Sequence, residues 1–325
     1  MKFDFAVGNP PYQNKIRGDN KTFATPVYNR FMEATYQIAD KVSLITPARF
    51  LFNAGATPKD FNEKILRDEH VKVAKFFRNS SEVFSNARIK GGVVITYRDA
   101  AKNFGAIETF TPFAELTSIL KKVVADKNFL PFNEIVYPRA EYRLAENNLP
   151  LSTNAFDKLR GYFLDAKPAD GREYVRILGR AGAKRIYKWI CRELVADSEN
   201  LARYKVFIVS SSGAGEFGEI LSAPIIGLPF MGATETFTAV GNFDSRAEAE
   251  ACLKYIKSKF ARALLGILKV TQHNPAATWA KVPLQNFSAD SDIDWEKNID
   301  AQLYRKYDLN DAETNFIETH VKEMI

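Results

Sequence analysis

The chain has 325 residues, enough for two domains at roughly 100–200 residues each. Its composition, 46% hydrophobic and 26% charged, excludes a chain disordered throughout, and no apolar run approaches the roughly 18 residues that span a bilayer. With 45 Lys+Arg against 39 Asp+Glu the net charge is +6, while two cysteines (Cys191 and Cys252) and three scattered histidines supply neither a disulfide framework nor a metal cluster.

No signal-peptide apolar region follows Met1, which predicts a cytoplasmic protein without a membrane segment. Residues 3–7 (Phe-Asp-Phe-Ala-Val) read as a short strand ending at Gly8, because Pro10 and Pro11 cannot continue a ladder. Thr25 and Pro26 suit a helix start, and Val27, Phe31, Thr35 and Ile38 share one stripe, predicting a helix to about Asp40. Val42 to Ile45 is a second strand, closed by Thr46 and Pro47. Phe61, Ile65 and Leu66 fit a short helix, Val71 to Phe77 a third strand, and Gly91 to Tyr97 a fourth. Strands alternating with helices predict an α/β layer with a mostly parallel sheet.

In such sheets ligands meet the carboxyl ends of strands, and Asn9-Pro10-Pro11-Tyr12 stands at one. An asparagine carbonyl and a neighbouring backbone carbonyl can both accept from one exocyclic amine, holding its lone pair toward an electrophile. Proline stiffens the backbone that offers the carbonyl, and a tyrosine ring can stack on a planar base. Read from the residues alone, this is either an amine-activating clamp or a rigid turn with Tyr12 as a packing residue.

The run Asp4-Phe5-Ala6-Val7-Gly8-Asn9-Pro10-Pro11-Tyr12-Gln13 resembles the catalytic motif of amino-methylating DNA methyltransferases, in particular the adenine-N6 members of restriction–modification systems (type II/IIG-like). The stretches Tyr28 to Glu33, Leu44 to Leu51 and Gly91 to Tyr97 resemble the elements that follow in that family, over about 100 residues. The resemblance implies that Asn9 and the Pro10 carbonyl, stiffened by Pro11, hold the adenine N6 amine while Tyr12 stacks on a flipped base. It implies S-adenosylmethionine (AdoMet) as cofactor and double-stranded DNA as partner. Lys15 and Arg17, in the loop-like stretch Asn14 to Lys21, either reach phosphate or close over the base, or are simply solvated.

In that family a glycine-rich turn for AdoMet precedes the catalytic motif when the recognition domain comes last, and here eight residues precede Asn9. Downstream, Ser212 to Gly218 follows the strand-like Val206 to Val209, but the next segment holds Pro224 and Pro229 without a helix pattern, so no βαβ unit opens there. The expectation is therefore the C-terminal part of such an enzyme, from the NPPY motif through the target-recognition domain, with the N-terminal AdoMet-binding half absent. It could be a split-enzyme subunit, a truncated or decayed gene product, or a piece of a longer protein. An unpaired sheet edge would then be covered by a partner polypeptide supplying that half, or by self-association.

Beyond about Asp99 the chain changes character. The aromatics Phe129, Phe132, Tyr137, Tyr142, Tyr162, Phe163 and Tyr174 are expected to build a satellite core, with a pocket lining as the alternative. From Arg172 to Lys188 there are six basic residues and one acidic, and the spacing of Arg172, Arg176, Arg180 and Lys184 would make one basic helix face, interrupted by Gly179 and Gly182. Such a face serves phosphate contact or is merely solvated. Ser245 with Glu248 forms a capping box, and Leu253, Ile256, Phe260, Leu264 and Ile267 form a stripe, predicting one long helix over residues 246–268.

The stretch Gly266 to Asn274, with Lys259 to Arg262 before it, resembles the target-recognition region of the same methyltransferases. Lys257, Arg262 and Lys269 are candidates for phosphate contact, and Gln272 and Asn274 carry side chains that can pair bidentately with an adenine edge, with no single base assigned. Ten acidic residues against four basic ones in Asp290 to Ile325 argue against DNA contact there, so Leu303, Tyr307, Phe316, Ile317 and Val321 are expected to pack back on the body.

The resulting expectation is an α/β fold, with a partial Rossmann-like methyltransferase sheet in residues 1–110, a mixed α+β target-recognition domain in 111–289 and an acidic tail in 290–325. The activity expected is methyl transfer to adenine N6 in a specific DNA sequence, as part of a restriction–modification enzyme. The alternatives are a DNA-binding specificity subunit, a decayed fragment that binds no AdoMet, or an interaction protein that interferes with a restriction assembly.

Overall fold

A computed structural model describes residues 3–14, 25–85 and 89–324. The chain divides into two compact units, Met1–Ala114 and Glu115–Ile325, so the acidic tail belongs to the second unit instead of standing as its own segment.

The first unit is built from β1 (Phe3–Gly8), α1 (Tyr28–Ile38), β2 (Ala39–Pro47), α2 (Lys59–Arg67), β3 (Val71–Phe77) and β4 (Val93–Asp99). Its four-stranded sheet has the order β1-β2-β4-β3. The α/β class holds, but the sheet is mixed: β1 runs parallel to β2, while β4 is antiparallel to both β2 and β3. Among the described residues no α-helix lies between β3 and β4 to carry a crossover, and β4 returns antiparallel. Gly92 makes this return possible. Its φ is +80°, and a Cβ there would stand 2.4 Å from the Phe77 carbonyl oxygen.

Helix α1 turns a different face inward from the one its apolar spacing suggests. Tyr28, Asn29 and Met32 are buried, Phe31 and Ile38 are exposed, and the helix starts at Tyr28 with no side-chain cap. The core instead gathers around aromatic edges: Tyr28, Phe50 and Phe61 lie 6.1–6.5 Å apart by ring centroid. Strand β1 is a sheet edge, and its Phe3, Phe5 and Val7 are 52%, 50% and 73% exposed on one side of the pleat.

The second unit opens with α3 (Ala114–Val124) and the one-turn α4 (Ala155–Lys158). There follow β5 (Tyr174–Ala181), β6 (Lys184–Cys191), β7 (Tyr204–Val209), β8 (Ile225–Gly227), β9 (Met231–Ala233) and β10 (Phe237–Phe243). Two three-stranded sheets result, β10-β7-β8 and β6-β5-β9. A common core of Tyr142, Phe156, Phe163, Ile177, Ile190, Phe207, Met231 and Phe237 lies between them. Residues 172–188, expected as a basic helix, are the β5–β6 hairpin. Arg176 and Arg180, four apart, share one face of β5, a spacing that a helix face fits equally, while Arg172 precedes the strand and Lys184 lies past the turn opposite Ala181, on the other face. The buried Val175, Ile177 and Ile190 decide for the strand.

Helices α5 (Arg246–Lys257), α6 (Lys259–Leu268), α7 (Ile299–Lys306) and α8 (Asp311–His320) complete the unit. The Ser245–Glu248 capping box forms, but the expected single helix breaks at Ser258. The Ser258 hydroxyl accepts from the Ala261 N–H at 3.1 Å, and the Asp300 carboxylate accepts from the Lys259 and Phe260 N–H groups at 3.1 and 2.8 Å. These acceptors satisfy amides that a continuous helix would have bonded itself. Leu303, Tyr307, Phe316, Ile317 and Val321 are buried, and the Tyr307 ring stacks on Phe260 with centroids 5.1 Å apart.

Candidate functional site

The register of the parallel pair sets Gly8 opposite Leu44, so β1 and β2 end side by side at Asn9 and at Thr46-Pro47. From there the chain turns through Asn9-Pro10-Pro11-Tyr12. Asn9 and Pro11 are exposed, Pro10 and Tyr12 half-buried. The elbow is pinned from behind: the Tyr12 carbonyl accepts from the Val27 N–H at 3.2 Å, and the Asn14 N–H donates to the Thr25 carbonyl at 3.0 Å. Two prolines and these bonds leave the four residues little freedom.

The Tyr12 ring meets Phe84 edge-on, with centroids 6.3 Å apart at 73°. Its hydroxyl is buried without a partner among the described residues, and burial pushes its pKa up to about 12, so the group stays a neutral hydrogen-bonding tip. Two more polar atoms share this condition at the same end of the sheet: Thr46 Oγ1 at the end of β2, and Asn29 Oδ1 in the first turn of α1. Buried polar atoms normally find partners, so such a group marks a place where a ligand or water would bind. The turn before β4 laces onto the same end, with the Ala48 N–H donating to Gly92 at 3.0 Å and Arg49 Nε to Lys90 at 2.8 Å. What the elbow offers a ligand is two carbonyl acceptors (Asn9 side chain, Pro10 backbone) and an aromatic ring, with no carboxylate among residues 9–14.

The other expected contacts separate sharply. Lys15 and Arg17 lie outside the described residues. Arg180, Lys184 and Gln272 are exposed, while Arg176 and Lys257 are half-buried. Arg262, Lys269 and Asn274 are corrected: they are 2%, 3% and 1% exposed and serve the interior. Helix α6 is buried nearly all round, which leaves Arg262 no solvent face. Its guanidinium donates to the carbonyls of Lys257 at 3.0 Å, Glu219 at 3.3 Å and Lys322. Lys269 pairs with Glu219 and donates to the Ser212 carbonyl at 3.0 Å. Asn274 receives the Thr278 hydroxyl at 3.1 Å.

The glycine-rich loop Ser212 to Gly218 is likewise committed. Its Ala214 and Gly215 N–H groups donate to the Glu219 carboxylate at 2.8 and 3.1 Å. Burial raises the Glu219 pKa, but Lys269 and these amides outweigh it and hold the carboxyl below the usual range. Amides already bound to a carboxylate do not fit the carboxylate of AdoMet, and no residue of this chain is assigned to hold that cofactor. Phe84, Thr46 and Asn29 join the site only through the fold. The stretch around Phe84 carries no periodicity or motif that could have singled it out.

The Eco57I restriction-modification methylase family matches residues 1–84, a span that contains the elbow, α1, β2 and β3. Residues 1–84 of the first unit are thus similar to that methylase family. This match overturns the expectation that the chain is only a C-terminal part lacking an N-terminal methylase portion, because methylase-family sequence stands at its N terminus. An uncharacterized adenine-specific methylase of Mycoplasma pneumoniae is 28% identical over 95 residues, which cover 29% of this chain and 22% of that protein. Among solved structures, the type IIG restriction endonuclease BpuSI aligns with 92% of this chain and 44% of its own, at 11% identity and a TM-score of 0.31, too remote to support an argument. The chain thus matches less than half the length of each. Among the described residues, no helix is long and apolar enough to cross a membrane.

Proposed function

We propose that this protein methylates the N6 amine of adenine in double-stranded DNA, as a restriction–modification methyltransferase. The observation that carries this reading is the rigid, partly exposed elbow Asn9–Tyr12 at the carboxyl end of β1, inside the segment that matches the methylase family. Asn9 Oδ1 and the Pro10 carbonyl accept the two N6 hydrogens and aim the nitrogen lone pair outward. Pro11 fixes that carbonyl, and the Tyr12 ring stacks on the base. Adenine N6 is not reachable for in-line attack inside the stack, so the base must be extruded to meet the elbow. AdoMet, when bound, would supply an electrophilic methyl and leave as the neutral thioether with the carbon–sulfur electron pair, while the amine releases one N6 proton to solvent. The chain's own contribution is position and desolvation, with no charged base at the amine.

The test is transfer of labelled methyl from AdoMet to duplex DNA by the full chain, with N6-methyladenine identified after digestion. Asn9→Ala should reduce the rate by at least about 100-fold, the scale of losing one preorganised polar group, while duplex affinity stays within about twofold. Methylation at another atom, or full activity of the variant, would overturn the assignment. Duplex binding without any transfer would favour the second reading, a DNA-binding specificity subunit.

A further inference from the structure

The sequence holds two basic stretches, and the structure spends their charges differently. In the second, Lys254 pairs with Glu296 at 2.6 Å, Lys259 with Glu318 at 2.5 Å and Lys269 with Glu219, while Arg262 is sunk among carbonyls. On the β5–β6 hairpin, Arg172 and Lys188 pair with Asp170 and Asp165, both at 2.7 Å. Arg176, Arg180, Lys184, Arg185 and the neighbouring Lys167 have no carboxylate partner among the described residues. Lys257 and Lys281 of the second stretch also lack a carboxylate partner among the described residues but are half-buried, so it is on the hairpin, at Arg180 and Lys184, that unneutralised charge stands exposed.

Its geometry presents that charge outward. Strand β9 pairs with β5 only as far as Leu178, so beyond that point the hairpin continues as a two-stranded ribbon past the sheet. The ribbon closes on a two-residue loop, Gly182-Ala183, with Gly182 at φ +57°. Exposed Arg180 and Lys184 flank this tip, and Arg180 lies directly across the ladder from Arg185. Like charges in directly opposed positions destabilise a hairpin unless an anion lies between or beside them.

The root of the ribbon is stiffened by rings. The Arg176 guanidinium lies 4.0 Å from the Tyr187 ring centroid and 5.8 Å from Trp189, and the Lys167 ammonium lies 5.9 Å from Trp189. Arg185 is held back by a bond to the Ala223 carbonyl at 2.5 Å, leaving Arg180 and Lys184 as the free contacts. A two-stranded ribbon also has the width to enter the major groove of B-form DNA, about 12 Å across.

We propose that the β5–β6 hairpin grips the backbone of duplex DNA, with Arg180 and Lys184 on phosphates and the Arg176–Tyr187–Trp189 stack as its rigid base. This rests on DNA being the substrate, as argued above. The test is fluorescence anisotropy of a labelled duplex with the full chain, across a salt series. Each phosphate contact contributes about 0.9 to the slope of log affinity against log salt. The double variant Arg180→Ala/Lys184→Ala should therefore lose roughly 2 from the slope and bind at least about tenfold more weakly near 0.15 M salt. Arg172→Ala, which removes a charge already paired with Asp170, should leave both unchanged.

If the wild-type chain binds the duplex and the double variant matches it in slope and affinity, the hairpin assignment is wrong and the methylation reading stands. If the salt slope behaves as expected but AdoMet never yields N6-methyladenine, the hairpin stands and the methylation reading falls. Both substituted side chains are exposed, so circular dichroism of the double variant should match the wild type. A folding loss would mean that they are structural, and the assignment would fail.

Discussion

Lys205 sits on β7 with no exposed surface, and its ammonium donates to three backbone carbonyls, those of Leu201 at 3.1 Å, Leu228 at 3.3 Å and Met231 at 3.0 Å. Among the described residues no carboxylate offsets it, and burial lowers its pKa from the usual 10.5 to about 7. Between those values the unfolded chain carries a proton that the native chain does not, so stability must rise with pH across that window. A slope of up to one proton gives a gain of roughly 2.5 kcal/mol from pH 6 to pH 9.

Lys205→Met keeps the volume and abolishes this term. Two of the three carbonyls it frees keep a donor, since Leu201 already accepts from the Phe230 N–H at 2.7 Å and Leu228 from the Met231 N–H at 3.0 Å. All three tryptophans (Trp189, Trp279 and Trp295) lie in the second unit, so their fluorescence during urea unfolding reports that unit alone. The wild-type midpoint, taken relative to the variant, should climb by about 1 M urea from pH 6 to pH 9. A difference that stays constant with pH would show that Lys205 keeps its proton in its carbonyl cage, and would refute the reasoning.

Two further outcomes test the first unit. Gly92→Ala places a Cβ 2.4 Å from the Phe77 carbonyl at a φ of +80°, and should cost about 2–4 kcal/mol. Hydrogen exchange in β3 and β4 peptides should accelerate accordingly, and unchanged protection would contradict the role given to this turn. Tyr12→Phe removes a buried hydroxyl without a partner, so stability should hold or rise by up to about 1 kcal/mol, and methyl transfer should stay within about threefold because the ring remains. A large loss of transfer with unchanged stability would assign the hydroxyl to the substrate.

Local pattern alone sufficed for several features. The alternation of strands and helices gives the α/β class, and the proline pair after Gly8 stops β1 and makes an elbow whatever surrounds it, because proline's restriction is local. Likewise the Ser245–Glu248 cap needs only residues three apart. The same is true of the elbow's chemistry, which resides in the kinds of side chain at positions 9–12.

Other features depend on partners far away in sequence. The direction of β4 follows from the loop after β3 and from Gly92 fitting against Phe77. A four-residue spacing of arginines suits helix and strand alike, and only the core behind Val175, Ile177 and Ile190 makes residues 172–188 a hairpin. Whether a lysine or arginine faces DNA or a carbonyl is equally non-local: Arg262 and Lys269 carry the same charge as Arg180 and Lys184, yet the packing around α6 and Glu219 turns the first pair inward and leaves the second pair in solvent. Desolvation depends on every neighbour of a residue, and those neighbours are brought together by the tertiary fold and not by the adjacent chain.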